Sequence, residues 1–318
     1  MQNTNCCPSC DHRGRTREIE ILGKKLRVKD YVCSPDGINY RRKPENTQLY
    51  LSVCPVSYCP AGCPFCIATG TKTHKKLNIE RFRKTMELLR RDDLVGGVKI
   101  TGGEPFYDAE LLDEVVSVLF DIFGFGLEVS ISTNGMWLDK IHKIRHLEHV
   151  ESIHISRHHY DDEINRDLFG GAAVPDGEKL REVINSISYR DIFVFNCMLL
   201  KGCIDSPEEA HKFLDFAISV GAPKVGFMAC TPINDYASAH RVPYEDVIRD
   251  GDESLLFTRG FYDYEFCHCR DGVYVSPGGE IIEFYGRSTT PGGCDYCRGI
   301  VYGADDRLRD GFNGDVIV

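Results

Sequence analysis

The sequence predicts an α/β fold, a partial (β/α)6 barrel, from its composition and from the order of its segments. The chain has 318 residues, of which 42% are hydrophobic and 27% charged, so it can bury a sizeable core. Between residues 47 and 230, strand-like segments alternate with segments of helical periodicity. This alternation predicts parallel strands covered by helices, with an open doubly wound sheet as the alternative to the barrel.

The predicted strands and helices are short and regular. The helix over 78–91 illustrates the evidence, because Phe82, Met86 and Leu89 are spaced to share one face. Chemistry in parallel folds collects where the strands end, so the loops after the strands are the first place to search for function. The predicted strands are 47–53, 97–101, 127–132, 150–156, 192–199 and 224–228, and the predicted helices are 78–91, 109–123, 138–147, 179–187 and 207–220.

Two segments lie outside this alternation and divide the chain into three predicted regions. Residues 1–46 are polar, basic and cysteine-bearing, which indicates an N-terminal extension before the barrel of residues 47–230. Residues 231–318 are rich in Gly, Tyr and Asp and contain a predicted hairpin over 273–282. We expect this last region to form a small C-terminal appendage.

Charge and hydropathy exclude several classes of protein. The net charge of −10 leaves no excess of Lys and Arg to neutralise phosphates, which argues against nucleic-acid partners and anionic membranes. No apolar run reaches the length of a membrane span, and the polar residues 1–11 do not resemble a signal peptide. A cytoplasmic protein is therefore expected.

Cysteine is unusually frequent, with fifteen residues in the chain. Disulfides are disfavoured in a reducing cytosol, so clustered thiols there indicate metal or iron-sulfur ligation. The clusters are N-terminal (Cys6, Cys7, Cys10, Cys33), central (Cys54, Cys59, Cys63, Cys66) and C-terminal (Cys267, Cys269, Cys294, Cys297), and three further cysteines are scattered (Cys197, Cys203, Cys230).

The central cysteines form the most specific pattern. The loop Cys59-Pro-Ala-Gly-Cys63-Pro-Phe-Cys66 follows the first predicted strand. Three thiolates at these spacings can bind three corners of a cubane cluster, which leaves the fourth iron free to bind a small molecule. A structural zinc site is the alternative, and Cys54 would then supply the fourth ligand.

This CxxxCxxC loop, with the aromatic Phe65 before its last cysteine, resembles the radical S-adenosylmethionine (SAM) superfamily. The resemblance implies a partial (β/α)6 TIM barrel in which Cys59, Cys63 and Cys66 hold a 4Fe-4S cluster that chelates SAM. Electron transfer from the cluster breaks a carbon-sulfur bond of SAM, giving methionine and a 5'-deoxyadenosyl radical that abstracts hydrogen from a substrate. A reductant protein such as flavodoxin or ferredoxin is then an expected partner.

Three later segments fit the same resemblance. Gly102, Gly103 and Glu104 lie in Thr-Gly-Gly-Glu-Pro and resemble the family's GGEP motif, where Glu104 accepts hydrogen bonds from the SAM ammonium group. Ser132 and Asn134 end the third predicted strand, where the family contacts the ribose and the methionine carboxylate. A plain turn is the alternative for this Ser-Thr-Asn-Gly segment.

The fourth predicted strand ends in Ser-Arg-His-His. By resemblance, Arg157 is expected to bind the SAM carboxylate. His158 and His159 are candidates to face the substrate, with ordinary loop histidines as the alternative. Cys230, just after the sixth strand, is a candidate hydrogen-atom donor to a substrate radical, and a buried small hydrophobic residue is its alternative.

The C-terminal cysteines form a second predicted metal site. Two pairs, Cys267 and Cys269 before the hairpin and Cys294 and Cys297 after it, can bring four thiolates together. This arrangement resembles the Twitch and SPASM auxiliary-cluster extensions of radical SAM enzymes and implies a second 4Fe-4S cluster in a Twitch-like appendage, with zinc as the alternative. It departs from the family pattern in its CxC pair and in Phe284-Tyr285, where a cysteine often follows the hairpin.

Cys7-Pro-Ser-Cys10 resembles half of a zinc knuckle, and exposed thiols are the alternative there. The function that the sequence favours is a radical SAM oxidoreductase acting on a small polar substrate. A radical SAM maturase of a ribosomally made peptide is the second candidate, and a non-redox zinc-binding protein is the third.

Overall fold

The computed structural model describes residues 16–29, 49–67, 73–249, 251–257, 270–287, 297, 299–312 and 314–318, and within them it shows a mixed α/β fold built on a parallel sheet. The strands are β1 (Thr16–Ile21), β2 (Lys24–Lys29), β3 (Leu49–Val53), β4 (Val95–Ile100), β5 (Glu128–Thr133), β6 (Val150–Ser156), β7 (Phe193–Leu199), β8 (Lys224–Ala229), β9 (Leu255–Phe257), β10 (Arg270–Val275), β11 (Ile281–Arg287), β12 (Gly299–Tyr302) and β13 (Leu308–Arg309). The α-helices are α1 (Ile79–Arg91), α2 (Ala109–Phe123), α3 (Asp162–Leu168), α4 (Gly177–Ser186), α5 (Pro207–Val220) and α6 (Asp235–His240).

The six strands β3 to β8 are all parallel and lie side by side in chain order. A doubly wound sheet reverses its strand order at a switch point, and these six strands show no such reversal. The doubly wound alternative is therefore wrong. Strands from after residue 230 extend both edges, since β12 pairs parallel with β3 and β11 pairs parallel with β8.

The two faces of the sheet differ in polarity because side chains alternate along each strand. On β5 and β6, Ile131 and Ile153 are fully buried in a hydrophobic core shared with helix residues such as Leu112. The intervening residues, such as Ser130 and His154, are polar. One face of the sheet thus packs against helices, and the other carries groups that can bind a ligand.

Local sequence accounts for the helix ends. Asn78 begins α1, where its side-chain oxygen accepts a hydrogen bond from the Arg81 backbone N–H at 3.0 Å. Ser206 caps α5, and Gly221, with φ of 80°, ends that helix in the left-handed conformation. The predictions of a helix over 78–91 and of one over 207–220 are therefore confirmed.

The predicted helix over 138–147 is wrong. This segment forms two 3-10 turns, Leu138–Lys143 and Leu147–His149, without an intervening α-helix. The physical reason is tertiary, because the Arg145 backbone N–H donates to Asp113 Oδ1 on α2 at 2.8 Å instead of to a carbonyl one turn earlier. Residues 162–168 and 235–240 form short helices that were not predicted.

The predicted hairpin after residue 270 is confirmed, since β10 and β11 pair antiparallel with Val275 opposite Ile281. The N-terminal extension contributes a second hairpin, β1 and β2, that was not predicted. In the described part of the chain, no helix has the length and apolar composition needed to cross a bilayer.

Candidate active site

The cysteine loop leaves the carboxyl end of β3 and is held against two other segments. The backbone N–H groups of Gly103 and Glu104 donate to the carbonyls of Val56 and Tyr58 at 3.0 and 2.8 Å. The Gly62 N–H donates to the Phe169 carbonyl, just after α3, at 2.9 Å. The loop is therefore fixed by the segment that follows β4 on one side and by the end of α3 on the other.

Cys59, Cys63 and Cys66 are partly buried and lie close enough to interact electrostatically. Burial raises the pKa of Cys63 to about 12, and the neighbouring Cys66 and Cys59 thiols raise it further. Burial also raises the pKa of Cys59, with smaller contributions from Glu104 and Cys66. The Cys59 and Cys63 thiols therefore stay protonated unless a bound metal centre stabilises their thiolates.

Cys54 does not join the other three central cysteines. Its backbone N–H donates to the Tyr302 carbonyl on β12 at 2.9 Å. Burial raises the pKa of the Cys54 thiol to about 12, and the charged groups that act on it are Arg309 and Asp305. The thiol thus interacts with charged groups near the β12 edge, and its part in the zinc alternative stays a prediction.

Gly102 and Gly103 permit the close approach of this segment to the cysteine loop. Gly102 has φ of 110°, and a Cβ there would lie 2.7 Å from the Cys54 Cβ. A Cβ at Gly103 would lie 2.1 Å from the Tyr58 carbonyl oxygen, which belongs to rigid backbone. Both positions therefore need glycine for contact with the protein itself, in addition to the predicted approach to a ligand.

Gly103→Ala is expected to displace the cysteine loop and to lower the free energy of unfolding by about 1–3 kcal/mol, the usual cost of overpacking. Iron bound per chain after anaerobic reconstitution should fall together with the unfolding midpoint. Gly126→Ala is the matched control, because nothing lies within 4 Å of a Cβ at Gly126. Equal iron content and stability in the two variants would contradict this role of Gly103.

Glu104 is buried, with 1% of its surface exposed, and it connects the ends of β4 and β5. Its Oε1 accepts hydrogen bonds from Thr133 Oγ1 at 2.6 Å and from the Phe106 N–H at 3.1 Å, and its Oε2 accepts from the Asn134 N–H at 2.7 Å. Burial raises the pKa of Glu104 to about 7, although these three hydrogen bonds act to lower it. Among the described residues one acceptor position remains on Oε2, and the predicted bond to an ammonium group stays a prediction.

Ser132 and Asn134 lie at the end of β5, and Asn134 contacts the cysteine loop. The Asn134 side-chain amide donates to Cys59 Sγ at 3.6 Å, and its oxygen accepts from the Met136 N–H at 3.0 Å. The Ser132 hydroxyl is buried and has no hydrogen-bond partner in the described part of the chain. A buried hydroxyl without a partner requires an explanation, and a bound ligand is one.

Arg157 lies in a dense set of protein contacts at the end of β6. Its guanidinium is buried and donates to the carbonyls of His159 at 2.7 Å, Tyr160 at 3.0 Å and Pro175 at 3.1 Å, and it also pairs with Asp162. The guanidinium also lies 4.7 Å from the centre of a phenylalanine ring on α5. These contacts hold the loop after β6 against the helices, and the predicted bond to the SAM carboxylate stays a prediction.

His158 supports the cysteine loop through aromatic contacts. Its ring meets Phe65 edge-on at 5.1 Å and stacks on Phe169 at 5.0 Å, and its Nδ1 accepts from the Met198 N–H at 3.2 Å. Burial lowers the pKa of His158 to about 3, so the ring stays neutral. His159 Nδ1 accepts from the backbone N–H two residues later at 2.9 Å, and the predicted substrate roles of both histidines stay predictions.

Cys230 is buried in a small hydrophobic cluster that also contains Phe65 and Leu200. Cys63 packs against this cluster, and Asn234 Nδ2 donates to the carbonyl of the proline after Cys63 at 2.9 Å. The structure thus brings Cys230 to the cysteine loop from the end of β8. Whether it donates a hydrogen atom stays a prediction.

The C-terminal and N-terminal cysteine clusters fall mostly outside the described residues. This holds for Cys267, Cys269 and Cys294 and for Cys6, Cys7, Cys10 and Cys33. Cys297 lies at the β12 edge, where its N–H donates to the Arg27 carbonyl on β2 at 2.7 Å and its thiol donates to the Gly299 carbonyl at 3.3 Å. The auxiliary cluster therefore stays a prediction.

A polar group on the inner face of the sheet was not predicted from the sequence. His154 on β6, Asn196 on β7 and Tyr285 on β11 are connected by hydrogen bonds across three strands. The available signal was a polar residue at every second position of a strand whose other residues are apolar. The strands supply such positions, but their sequence alone does not show which of them meet.

Solved structures that resemble this chain share its fold at low sequence identity. Streptococcus suis SuiB bound to S-adenosylmethionine matches with a TM-score of 0.54 and 14% identity over 85% of this chain and 63% of that chain. SuiB bound to the precursor peptide SuiA matches with a TM-score of 0.48 and 17% identity over 60% and 42%. A radical SAM methyltransferase from Sphaerobacter thermophilus matches with a TM-score of 0.48 and 18% identity over 69% and 68%.

The chain thus spans less than two thirds of the length of the SuiB chains that it matches. No curated protein matches it. Residues 53–216, just over half of the chain, match the sequence model described as Radical SAM superfamily.

Proposed function

The chain belongs to the radical SAM superfamily, and from this premise we propose that it cleaves SAM reductively and uses the radical on a small polar substrate. Cys59, Cys63 and Cys66 would hold the 4Fe-4S cluster. This group supplies the electron that breaks the carbon-sulfur bond of SAM, which yields methionine and a 5'-deoxyadenosyl radical.

One observation carries this proposal. The three thiols of the cysteine loop stand together beside Glu104 and Asn134, and the charged groups that act on Cys54 are instead Arg309 and Asp305. Backbone hydrogen bonds fix the loop against the segment after β4, and they can form because Gly102 and Gly103 have no side chains. The donor set is therefore three sulfurs, which suits a cluster with one iron left to bind SAM and falls one protein ligand short of a structural zinc site.

The chain's own residues would bind and orient SAM. The remaining acceptor position on Glu104 Oε2 suits the ammonium group of SAM, and the partnerless Ser132 hydroxyl suits a ribose hydroxyl or a carboxylate oxygen. Asn134 donates to Cys59 Sγ, and hydrogen bonds to cysteine sulfur are a known lever on the reduction potential of a cluster. Phe65 and His158 close the apolar side of the loop against solvent.

We also propose the finer features that the sequence predicts. The six parallel strands would curve into a partial barrel, and Cys267, Cys269, Cys294 and Cys297 would bind a second 4Fe-4S cluster in a Twitch-like region. Cys230, which lies in the hydrophobic cluster against Cys63, would return a hydrogen atom to a substrate radical. A protein such as flavodoxin or ferredoxin would supply the electron.

Anaerobic reconstitution with iron and sulfide tests the proposal. We expect about eight irons per chain if both clusters form and about four if only the first does, because each cubane holds four irons. With dithionite and SAM, the reconstituted protein should release 5'-deoxyadenosine. Zinc without iron, together with no SAM cleavage, would overturn the proposal. Stimulation of SAM cleavage by peptides and not by small polar compounds would favour the peptide-maturase alternative.

A further inference from the structure

The inner face of the parallel sheet is polar and partly open to solvent. On β6, Ile153 and Ile155 on the helix-facing side are 0% and 1% exposed. On the opposite side, Ser152, Asn196 on β7 and Tyr285 on β11 are each only partly buried. Closed (β/α) barrels fill this space with layers of branched apolar side chains. The inner face of this sheet is instead polar and partly exposed, as is typical of a surface that binds a polar ligand.

Four inner-face side chains form one continuous chain of hydrogen bonds. Tyr285 Oη donates to Asn196 Oδ1 at 2.8 Å, and Asn196 Nδ2 donates to His154 Nδ1 at 3.2 Å. Because Nδ1 accepts, this arrangement assigns the proton to His154 Nε2, which lies 2.9 Å from Ser152 Oγ and donates to it. In the part of the chain that the structure describes, the second amide hydrogen of Asn196 and the hydroxyl hydrogen of Ser152 have no acceptor. Both are available to a ligand.

Gly226 makes room for this arrangement. Tyr285, Gly226 and Asn196 are register partners on the adjacent strands β11, β8 and β7. A Cβ at Gly226 would lie 2.3 Å from the Tyr285 Cζ and 2.4 Å from its Oη. The phenol therefore lies flat over β8 to reach Asn196, and any larger residue at position 226 would push it away.

The four residues adjoin the candidate SAM site. His154 is the register partner of Ser132 on β5, whose buried hydroxyl has no partner among the described residues. Ser132 in turn precedes Thr133, which donates to Glu104. The group thus begins one strand away from the residues proposed to bind SAM, on the face where a radical formed there would meet its substrate.

We propose that Ser152, His154, Asn196 and Tyr285 form the substrate-recognition surface, and that they bind a neutral group bearing hydroxyls or amides. The proposal rests on the proposed function and names its substrate class. All four side chains are uncharged hydrogen-bonding groups. The nearby Lys224–Glu283 ion pair, at 2.9 Å, balances its own charge and so favours a neutral ligand.

Binding of glycerol tests the recognition surface in the full-length reconstituted protein. The comparison compound is 1-propanol, which has the same three-carbon skeleton but only one hydroxyl. The readout is the NMR signal of the Asn196 side-chain amide, assigned with Asn196→Asp. We expect glycerol to shift this signal saturably and 1-propanol to shift it far less. Tyr285→Phe and Gly226→Ala should weaken glycerol binding about fivefold, the usual worth of one lost hydrogen bond. Tyr189→Phe, at an exposed tyrosine, is the matched control and should bind as the wild type does.

Two results would overturn the inference in this experiment. Equal shifts with both probes would mean that the surface does not select hydroxyl groups. No shift with either probe would mean that the four side chains form a closed structural network.

Substrate-free 5'-deoxyadenosine formation separates this inference from the proposed function. Tyr189→Phe, the exposed control, should leave it unchanged. Its loss in Tyr285→Phe would assign the phenol to SAM cleavage and overturn the recognition role. If the wild type itself forms no 5'-deoxyadenosine, the proposed function fails, and the glycerol experiment still decides whether the surface binds hydroxyl groups.

Discussion

Replacing Cys59, Cys63 or Cys66 with alanine should abolish SAM cleavage. We expect 5'-deoxyadenosine formation to fall by more than about 100-fold, because even the loss of a residue that only hydrogen-bonds to a metal ligand lowers activity by up to about 100-fold. The physical reason is the donor count. Three thiolates leave one iron open for SAM, and the loss of any one exposes a second iron to solvent and to loss from the cluster. The measurement is 5'-deoxyadenosine formed with dithionite and SAM after anaerobic reconstitution.

Cys54→Ala is the matched control for these three variants. Cys54 lies at the start of the same loop, but its surroundings are Arg309, Asp305 and the β12 edge. We expect it to keep iron and activity. Retained activity in any of the three loop variants would discard the cluster assignment. Loss of metal in Cys54→Ala with binding of zinc would instead restore the four-thiolate zinc alternative.

Arg157→Ala should lower the free energy of unfolding by about 3 kcal/mol or more, because buried acceptors without a donor each cost about 1–3 kcal/mol. The variant would leave the carbonyls of His159, Tyr160 and Pro175 without their donor and would break the pair with Asp162. Denaturant-induced unfolding measures the effect.

SAM binding by the same variants separates the structural role of Arg157 from the role that the family resemblance implies. Arg157→Lys keeps the positive charge but cannot reproduce the forked hydrogen bonds, so it should also be strongly destabilised. A carboxylate-binding role predicts the opposite pattern, in which Arg157→Lys is tolerated and Arg157→Ala keeps its stability but binds SAM weakly. That pattern would contradict the placement of Arg157 against the helices.

The sequence was sufficient wherever local chemistry decides the structure. The prediction for α5 agrees with the structure at both ends because Ser206, Pro207 and Gly221 are a cap, a first-turn residue and a left-handed terminator. The prediction over 138–147 failed because Asp113, on a distant helix, takes the Arg145 N–H. No pattern within ten residues could show that contact.

The candidate site divides in the same way. Spacing alone predicted Cys59, Cys63 and Cys66 as cluster ligands, since all three lie within eight residues of chain. The proximity of Glu104 and Asn134 to that loop followed from the rule that parallel strands end at one edge. The direction of a side chain at a strand end follows from no such rule.

By itself, therefore, the sequence determined the family and the alternation of parallel strands and helices, and it gave the prediction of three cluster cysteines, because each depends on neighbouring residues or on a short repeating period. Only the tertiary structure decided that Arg157 supports the helices and that Cys54 faces β12. It alone also placed Tyr285 over Gly226 against Asn196. The reason is that these contacts depend on strand register and on which strand extends each edge of the sheet, and both are set by the packing of the whole chain.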